Sequence, residues 1–458
     1  MTSFSALNLP ENLSRAMEVL AFTEMTPVQA EALPPILAGR DVTAQARTGT
    51  GKTVAFGLGV LAGVDVELSR IQALILCPTR ELADQVAEEL RRLARFTPNF
   101  RIVTLCGGVP CRTQAPSLQI PPHVVVGTPG RILDHLERQN LEFSALRTLV
   151  LDEADRMLDM GFSEAIADVV AQVPAKRQTL FFSATFPAAI RTMSKRLQQD
   201  ALQVTVEAAP ESAEIEQLFF EVAPAAKLDT LVQLLHRYQP ESALVFCHTR
   251  ADTRDVAKRL AERGYSVLAL HGELEQRERD EVLLRFANQS CSILVATDVA
   301  ARGLDIKGLP AVIAWELPKD PDQHVHRIGR TGRAGQKGLA LNLCSRSERE
   351  RAERIEEHLK IRATWMRIEP VSGELPAPKR PPMVTLMIEG GRQQKLRPGD
   401  LLGALTGDIG LAGTDVGKID LHPTRTYVAI RRERSERALH GLRNGKIKAR
   451  SFKVSLLR

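Results

Sequence analysis

The sequence is poor in aromatic residues and lacks the features of disulfide-stapled, zinc-binding or membrane proteins. Aromatic side chains make up 4% of its 458 residues, with two Trp and three Tyr. The six cysteines form no C-x-x-C pair and no Cys/His cluster with zinc spacing, which argues against a zinc site. No run of about 18 apolar residues predicts a membrane span. The N-terminal residues lack the charged start and apolar run of a signal peptide. These absences together predict a protein of the reducing cytoplasm.

Aliphatic residues are plentiful instead, and they occur in short runs that alternate with amphipathic helical patterns. Apolar residues make up 44% and charged residues 25% of the chain, as in a globular, core-forming protein. This alternation predicts α/β domains with parallel sheets, whose ligands bind at the carboxyl ends of the strands. The runs are DVTAQA, ALILCP, RIVTLCGG, HVVVGTP, TLVLDEAD and QTLFFSAT in the first half, and SALVFCHT, SVLALHG, CSILVATD, AVIAWELP and GLALNLC in the second.

Two breaks in this pattern predict the domain organisation. Residues 205–225 are polar and acidic, and the strand–helix alternation restarts after them. Residues 370–382 hold five prolines in thirteen positions, which is typical of an extended, semi-rigid linker. The predicted domains are 1–208 and 209–365, followed by a linker over 366–382 and a tail domain over 383–458.

The tail domain is basic and has its own pattern. Residues 383–458 contain 15 Lys and Arg against 7 Asp and Glu, a net charge of +8, whereas the whole chain carries +6. Such asymmetry predicts contact with a polyanion. The order of elements reads β-α-β-β-α-β, which is ferredoxin-like, the topology of RNA-recognition motifs. In the last strand, Phe452, Val454 and Leu456 are predicted to share the face toward the core.

The segment ARTGTGKT, residues 46–53, follows a predicted strand and precedes an apolar helix, as a phosphate-binding loop requires. Gly49 and Gly51 allow the backbone to curl so that its N–H groups face phosphates. Lys52 would reach the β- and γ-phosphates of ATP, and the Thr53 hydroxyl would face Mg²⁺. Ala46 stands where such loops usually begin with glycine. The alternative is a glycine-rich turn without ligand.

The segment TLVLDEADRML delivers two carboxylates at the end of an aliphatic strand. Mg²⁺ prefers carboxylate oxygen, often through water, so Asp152 is the candidate metal ligand. Glu153 is the candidate that orients the attacking water. An acid-rich helix N-terminus, stabilised by the helix dipole, is the alternative. The phosphate-loop pattern one hundred residues earlier favours catalysis.

With these motifs the sequence resembles the DEAD-box RNA helicases from Phe4 to about residue 345. The resemblance implies two RecA-like domains in tandem, the tail being an α+β, RRM-like addition, and an ATPase that needs Mg²⁺ and RNA. It implies an ATP site in which Phe4 stacks on adenine and Gln29 reads its edge. The motifs that carry it are FTEMTPVQ, PTRELA, GG, TPGR, SAT, VFCHTR, QRER, ATDVAARGLDI and HRIGRTGR.

The resemblance also implies roles for residues that spacing alone does not assign. Further ATP-site positions are Arg47, Thr48, Thr50 and Asp305, and Ser183, Thr185 and Asp155 would couple hydrolysis to strand opening. RNA-backbone contacts would come from Pro78, Thr79, Arg80, Gly108, Thr128, Gly130, Arg131, Thr249, Arg250, Gln276, Arg279, Thr297, Asp298, Arg302 and Gly303. Hydroxyls and backbone N–H groups at helix starts suit phosphate and sugar rather than base edges.

Arg330 and Arg333 lie in HRIGRTGR and are the candidate arginine fingers. A planar guanidinium suits a phosphoryl transition state, and a finger supplied by a second domain makes hydrolysis depend on domain closure. The alternative is a solvated basic face. Two rival functions for the whole chain are a DNA-translocating helicase and a non-catalytic RNA-binding scaffold.

The tail lacks the aromatic pair on which RNA-recognition motifs stack bases, because its central strands offer only Tyr427. The predicted contacts are therefore mainly basic: Arg425, Lys446, Lys448 and Arg450. The alternative is that these lysines do not bind RNA and only keep a structural edge strand soluble. The texts GKIKARSFKVSLLR and LRPGDLLGALTGDIGL resemble the DbpA group of bacterial DEAD-box proteins. That resemblance implies a protein that recognises 23S ribosomal RNA and helps to assemble the large ribosomal subunit. We expect the protein to be a monomer.

Overall fold

The described part of the chain contains three β-sheets with helices connecting their strands. The computed structural model describes residues 3–46, 49–206, 215–301, 308–332, 337–368 and 376–457. They form two compact units, one with the first sheet and the other with the second and third sheets. Within these ranges, no helix is both long and apolar enough to cross a bilayer.

The first sheet is parallel, with strand order β3-β4-β2-β5-β6-β1-β7. Its strands are β1 Val42–Gln45, β2 Ala73–Leu76, β3 Ile102–Leu105, β4 Val124–Gly127, β5 Thr148–Asp152, β6 Gln178–Ser183 and β7 Leu202–Thr205. Its helices are α1 Glu11–Val19, α2 Pro27–Leu37, α3 Lys52–Gly63, α4 Arg80–Leu93, α5 Cys111–Gln114, α6 Pro129–Glu137, α7 Ala154–Asp159, α8 Ser163–Ala171 and α9 Ala188–Leu197. The central strands are buried on both faces, which is why they read as unbroken aliphatic runs.

The second sheet repeats this plan in the order β10-β11-β9-β12-β13-β8-β14, again parallel. Its strands are β8 Ile215–Glu221, β9 Ala243–Cys247, β10 Val267–Leu270, β11 Ile293–Thr297, β12 Ala311–Ala314, β13 Gly338–Cys344 and β14 Thr364–Met366. Its helices are α10 Lys227–Tyr238, α11 Arg250–Glu262, α12 Gln276–Ala287, α13 Asp298–Ala301, α14 Pro321–Ile328 and α15 Arg349–Leu359.

One strand of the second sheet lies where the sequence indicated a break. Strand β8 occupies the second half of residues 205–225 and pairs with β13 and β14. Its glutamates and glutamine made it read as a polar segment, but Phe219 and Phe220 are buried. A strand near a sheet edge keeps polar positions that an inner strand cannot, so composition alone misplaced it.

The third sheet, in the tail, is antiparallel with order β16-β17-β15-β18. The tail's elements are β15 Met383–Ile388, α16 Pro398–Gly403, β16 Val416–Leu421, β17 Thr426–Arg431, α17 Ser435–Asn444 and β18 Val454–Leu456, with a π-helical turn at Ala404–Asp408 after α16. This confirms the predicted fold class. The predicted core role of Leu456 is wrong, because its side chain is 37% exposed while Val454 is buried.

Candidate functional site

The candidate ATP site lies at the carboxyl ends of three adjacent strands of the first sheet, β1, β6 and β5. Because the strands are parallel, their carboxyl ends lie on one edge. The backbone N–H of Ala46 donates to the Ser183 carbonyl at 2.9 Å, which joins the start of the phosphate-loop segment to the end of β6. Asp152 is the last residue of β5. The fold therefore brings the predicted phosphate and metal residues to one place.

The phosphate-loop segment has the backbone that its glycines predict. Gly49 and Gly51 have φ of 90° and 89°, in the left-handed region that favours glycine. Gly51 precedes α3, whose first residue is Lys52. Lys52 is 6% exposed, and its Nζ has no hydrogen-bond partner among the described residues. A buried ammonium without a partner fits a bound anion, as the phosphates of ATP would supply. Arg47 and Thr48 lie outside the described residues.

Gln29 holds the phosphate-loop segment from the side. Its Oε1 accepts from the Thr26 N–H at 2.9 Å, and its Nε2 donates to the Gly51 carbonyl at 3.1 Å. The Thr26 hydroxyl donates to the Thr50 carbonyl at 2.7 Å. A Cβ on Gly51 would lie 2.3 Å from Gln29 Nε2, so any other residue there would push the Gln29 amide from its place. Phe4 is 5% exposed and packs against Phe22, with ring centroids 6.3 Å apart.

The two candidate catalytic carboxylates follow one another and are both buried. Burial raises the pKa of Asp152 above that of an ordinary aspartate, and the charge of Lys52 opposes the rise. Glu153 adopts φ 51° and ψ 50°, a left-handed conformation that costs a non-glycine residue about 1–3 kcal/mol. Its carboxylate pairs with Arg156 at 2.8 Å. Because backbone strain of this kind is typical of functional sites, it supports a functional role for the Glu153 side chain.

The third acid of the motif is tied to the end of β6. Asp155 Oδ2 accepts from both the N–H and the hydroxyl of Thr185, each at 2.9 Å. The Asp155 N–H donates to the Ser183 hydroxyl at 3.2 Å. Burial alone would raise the pKa of Asp155, but hydrogen bonds with Thr185 and Ser183 and the charge of Lys52 hold it below the usual value. These bonds join the carboxylate motif to the predicted coupling segment.

The predicted RNA residues of the first domain lie in loops after β2, β3 and β4. Thr79 caps α4, accepting from the Leu82 N–H at 3.3 Å, and Arg80 lies 3.6 Å from Asp84. Pro78 is buried, and Gly108 has φ 85°. Thr128 is the N-cap residue of α6, and a Cβ on Gly130 would meet open space.

Arg131 has an internal role that its sequence motif did not predict. Its guanidinium donates to the Val109 carbonyl at 2.8 Å and to Gln114 Oε1 at 2.7 Å, and its side chain is 10% exposed. Val109 follows the Gly107–Gly108 pair directly. Arg131 therefore positions that loop against the start of α6.

In the second domain, the predicted RNA residues fall into two groups. Thr249 caps α11, and Arg250 pairs with Glu273 at 3.0 Å. Gln276 donates to Asp280 at 2.8 Å. These residues lie at the starts of α11 and α12 with at least part of their surface exposed.

The other group, around β11, is held by internal contacts. Thr297 Oγ1 accepts from the Ala300 N–H at 3.3 Å, and Arg279 donates to the Ala300 carbonyl at 2.7 Å. Both oxygens of Asp298 accept from Arg327, at 2.7 and 2.6 Å. Arg327 is 2% exposed. The Asp298 carboxylate is thus engaged within the domain, and Arg327, a residue without a predicted role, positions it.

The candidate arginine finger, Arg330, lies three residues after Arg327 in the sequence. Arg330 is 7% exposed, and its carbonyl accepts from the Leu309 N–H at 3.0 Å. The other predicted positions of this region, namely Arg302, Gly303, Asp305 and Arg333, lie outside the described residues.

The predicted RNA contacts of the tail divide into exposed and covered residues. Lys446, Lys448 and Arg450 are exposed. Tyr427 is 4% exposed, and its hydroxyl donates to Glu281 of α12 at 2.9 Å. Arg425 approaches the same carboxylate at 3.5 Å. The structure therefore leaves the basic loop exposed and buries Tyr427, the one aromatic residue of the tail's central strands.

The basic loop is a tight two-residue hairpin. Ile447 and Arg450 exchange backbone hydrogen bonds at 2.8 and 3.1 Å. The two residues between them, Lys448 and Ala449, have φ of 50° and 62°, which is the left-handed pair of a type I′ turn. Ile447 is 2% exposed and anchors the turn in the tail's core. The turn thus presents its basic side chains on a fixed backbone.

Comparison with known proteins identifies the family to which the chain belongs. Family models match residues 26–193 as a DEAD/DEAH box helicase, 226–335 as a helicase conserved C-terminal domain, and 385–456 as a DbpA RNA binding domain. The chain is 54% identical over 460 residues to the ATP-dependent RNA helicase DbpA of Escherichia coli K12, covering all of both chains. It is 44% identical over 361 residues to the DEAD-box ATP-dependent RNA helicase CshA of Bacillus cereus, covering 79% of this chain and 69% of that one.

Solved structures give the same result for the two helicase domains. S. cerevisiae Dbp5 bound to RNA and ADP BeF3 is similar, with a TM-score of 0.73 and 32% identity over 80% of this chain and 96% of that one. Mss116p bound to ssRNA and AMP-PNP has a TM-score of 0.72 and 27% identity over 81% and 80%. With the phosphate loop, the buried carboxylates and a matching tail, the chain belongs to the DEAD-box RNA helicases of the DbpA type, which are RNA-dependent ATPases.

Proposed function

We propose that this helicase uses ATP and Mg²⁺ to part or remodel short duplexes of 23S ribosomal RNA during assembly of the large ribosomal subunit. The general activity rests on one observation. Lys52, Asp152 and the hydrogen-bonded pair Asp155 and Thr185 all lie at or after the carboxyl ends of three adjacent strands, β1, β5 and β6. The finer target rests on the match of residues 385–456 to a DbpA RNA binding domain and on the exposed basic turn.

In this proposal, the chain's own residues bind and orient the reactants. The curled backbone at Gly49–Gly51 and the buried Lys52 ammonium bind the phosphates. Thr53 and Asp152 are the oxygen donors that would hold Mg²⁺, partly through water, and the metal would neutralise phosphate charge. Glu153 would orient the attacking water. Arg330, with Arg333, would stabilise the transition-state charge once RNA closes the two domains.

We propose domain boundaries after residues 208, 365 and 382; β14 of the second sheet extends one residue past the second boundary, to Met366. The first of these boundaries lies outside the described residues. We propose a monomeric protein of the cytoplasm whose helicase domains bind the RNA backbone without reading sequence, while the tail raises the local concentration of one ribosomal RNA site.

ATPase stimulation tests this proposal. We expect fragments of 23S ribosomal RNA to stimulate the full chain far more than unrelated RNA of equal length. A chain truncated before Met383 should respond to both RNAs alike. If the full chain does not distinguish the RNAs, the tail does not specify the substrate. Equal stimulation by single-stranded DNA would instead favour a DNA helicase.

The variant Glu153→Gln separates an enzyme from a scaffold. It retains shape and burial but loses the carboxylate that would orient water, so turnover should nearly vanish while ATP still binds. A variant of the exposed acid Glu18 on α1, Glu18→Gln, is the matched control and should keep normal turnover. Normal turnover in Glu153→Gln would mean that another group positions the water.

A further inference from the structure

A buried arginine lies beside the candidate water-orienting acid, and the sequence motifs assign it no role. Arg156 Nη1 lies 2.8 Å from Glu153 Oε2, and the two side chains are 6% and 5% exposed. Arginine is almost never fully buried unless it is paired, so this ion pair accounts for the burial of Arg156. The question is what the pair contributes to the site.

The backbone that carries this pair is fixed by the same motif. Glu153 is the N-cap residue of α7, and Arg156 is the third residue of that helix. The Arg156 N–H lies 3.0 Å from both the Glu153 carbonyl and Asp155 Oδ1. Asp155 accepts in turn from Thr185, so the guanidinium extends from a backbone that is tied to the segment after β6.

Stability alone does not explain a buried ion pair at this place. Removing two charges from water costs about as much free energy as their attraction returns, and well-packed apolar residues of similar volume are often at least as stable. The left-handed backbone of Glu153 adds a further cost. Because strain and buried charge occur together here, as they do at functional sites, the pair is better explained by the chemistry of Glu153.

Hydrolysis requires one oxygen of the Glu153 carboxylate to face the attacking water. A glutamate side chain has several rotatable bonds, so a fixed backbone does not by itself fix the carboxylate. An ion pair through Oε2 restricts that rotation. It leaves Oε1 for water, because the two oxygens of a carboxylate together offer about four acceptor positions.

We propose that Arg156 is a positioning residue for ATP hydrolysis, which holds Oε2 of Glu153 so that Oε1 is directed at the attacking water. This inference rests on the proposed function in one respect, the role of Glu153. Arg156 acts only through Glu153, so its substitution should lower the rate of hydrolysis and leave the affinity for ATP unchanged.

The variant Arg156→Met tests the positioning in the full chain. Methionine fills much of the same space but cannot hold a carboxylate. We expect kcat of the RNA-stimulated ATPase to fall about 10- to 100-fold, since a displacement of about 1 Å at a reacting group can cost that much. KM and the dissociation constant of a fluorescent ATP analogue should change less than about twofold. Arg156→Lys, whose ammonium can pair with the same oxygen, should recover much of the lost rate.

The matched control is Arg92→Met on α4. Arg92 pairs with Glu89 at 2.7 Å and at the same three-residue spacing, but its side chain is 51% exposed. This variant should hydrolyse ATP like the parent protein. A parental kcat in Arg156→Met would overturn the inference. An equal loss of ATP affinity would also overturn it, because it would show that Arg156 supports the shape of the site instead.

The double variant Glu153→Gln/Arg156→Met separates positioning from packing. Without the Glu153 carboxylate there is nothing for Arg156 to hold, so the double variant should retain the residual single-turnover rate of Glu153→Gln. A further fall by the factor seen for Arg156→Met alone would mean that the arginine acts by packing. This variant removes both charges of the pair, so the comparison stays available if Arg156→Met alone does not fold.

The same variants distinguish a failure of this inference from a failure of the proposed function. Parental turnover in Glu153→Gln would refute the proposed role of Glu153, and this inference with it. Parental turnover in Arg156→Met beside an inactive Glu153→Gln would refute this inference alone.

Discussion

Replacing Gly51 by alanine should weaken ATP binding by an amount that the phosphate-loop geometry sets. Gly51 has φ 89° and ψ 18°, and a side chain in that left-handed region costs about 1–2 kcal/mol. The new Cβ would also lie 2.3 Å from Gln29 Nε2 and push it from the Gly51 carbonyl. Losing that hydrogen bond costs about 0.5–1.5 kcal/mol.

Together these terms come to about 1.5–3.5 kcal/mol. Because phosphate binding requires the curled loop, the cost of imposing that conformation on alanine lowers nucleotide affinity. At tenfold for about 1.4 kcal/mol, the dissociation constant should rise about 10- to 300-fold. A titration with a fluorescent ATP analogue measures this change without depending on RNA or turnover.

A matched control is Gly63→Ala, at the end of the same helix, where a Cβ meets open space and φ is not left-handed. Its affinity should equal that of the parent protein. In a Gln29→Ala background, Gly51→Ala should cost less, because the collision is relieved and only the backbone strain remains. If Gly51→Ala binds ATP like the parent protein, the loop does not need the described backbone and our reasoning is wrong.

Three further predictions concern contacts outside the phosphate loop. Thr185→Val removes one hydroxyl bond to Asp155, so RNA-stimulated unwinding should fall more than basal ATPase, and Thr185→Ser should restore it. Lys227→Met removes the buried ammonium that lies 3.0 Å from the Glu348 carboxylate, which keeps its hydrogen bonds from Ser345 and Leu317, so the free energy of unfolding of the second helicase domain should fall by about 1.5–3 kcal/mol. The chain's two tryptophans, both in that domain, report its urea unfolding by fluorescence, and an unchanged midpoint would contradict this. Burial and a hydrogen bond to the Glu281 carboxylate raise the pKa of Tyr427. The neutral phenol therefore stabilises the packing of the tail fully below the ordinary tyrosine pKa of about 10. This stabilisation is lost as the pH rises through the raised pKa. An ultraviolet titration of the parent protein against Tyr427→Phe should show this phenol ionising later than a free tyrosine.

Much of the active site follows from local sequence. The glycines at positions 49 and 51 predict a left-handed backbone because other residues are strained there, and both have it. An aliphatic run that ends in Asp152 and Glu153 predicts a buried parallel strand with carboxylates at its end, and β5 is that strand. Such features depend on a few neighbouring residues, so they can be predicted without knowing the rest of the fold.

Other features depend on which distant segments meet. The ion pair of Asp298 with Arg327 joins residues 29 positions apart, and no spacing rule predicts it. Likewise, no spacing rule predicts that the guanidinium of Arg131, which we expect to contact RNA, holds the Val109 loop. Strand β8 was missed because its burial depends on β13, a partner more than a hundred residues later.

The tail shows most clearly which features the sequence predicts and which depend on the tertiary structure. Its sequence determined the antiparallel topology, the basic charge and the shortage of aromatics, because these follow from local pattern and composition. Only the tertiary structure decided what happens to the sheet face, since Thr385 and Tyr427 read equally well as exposed or covered positions. That choice depends on whether another surface offers partners for their hydroxyls, and Glu281, Asn288 and Ser290 of the second helicase domain supply them.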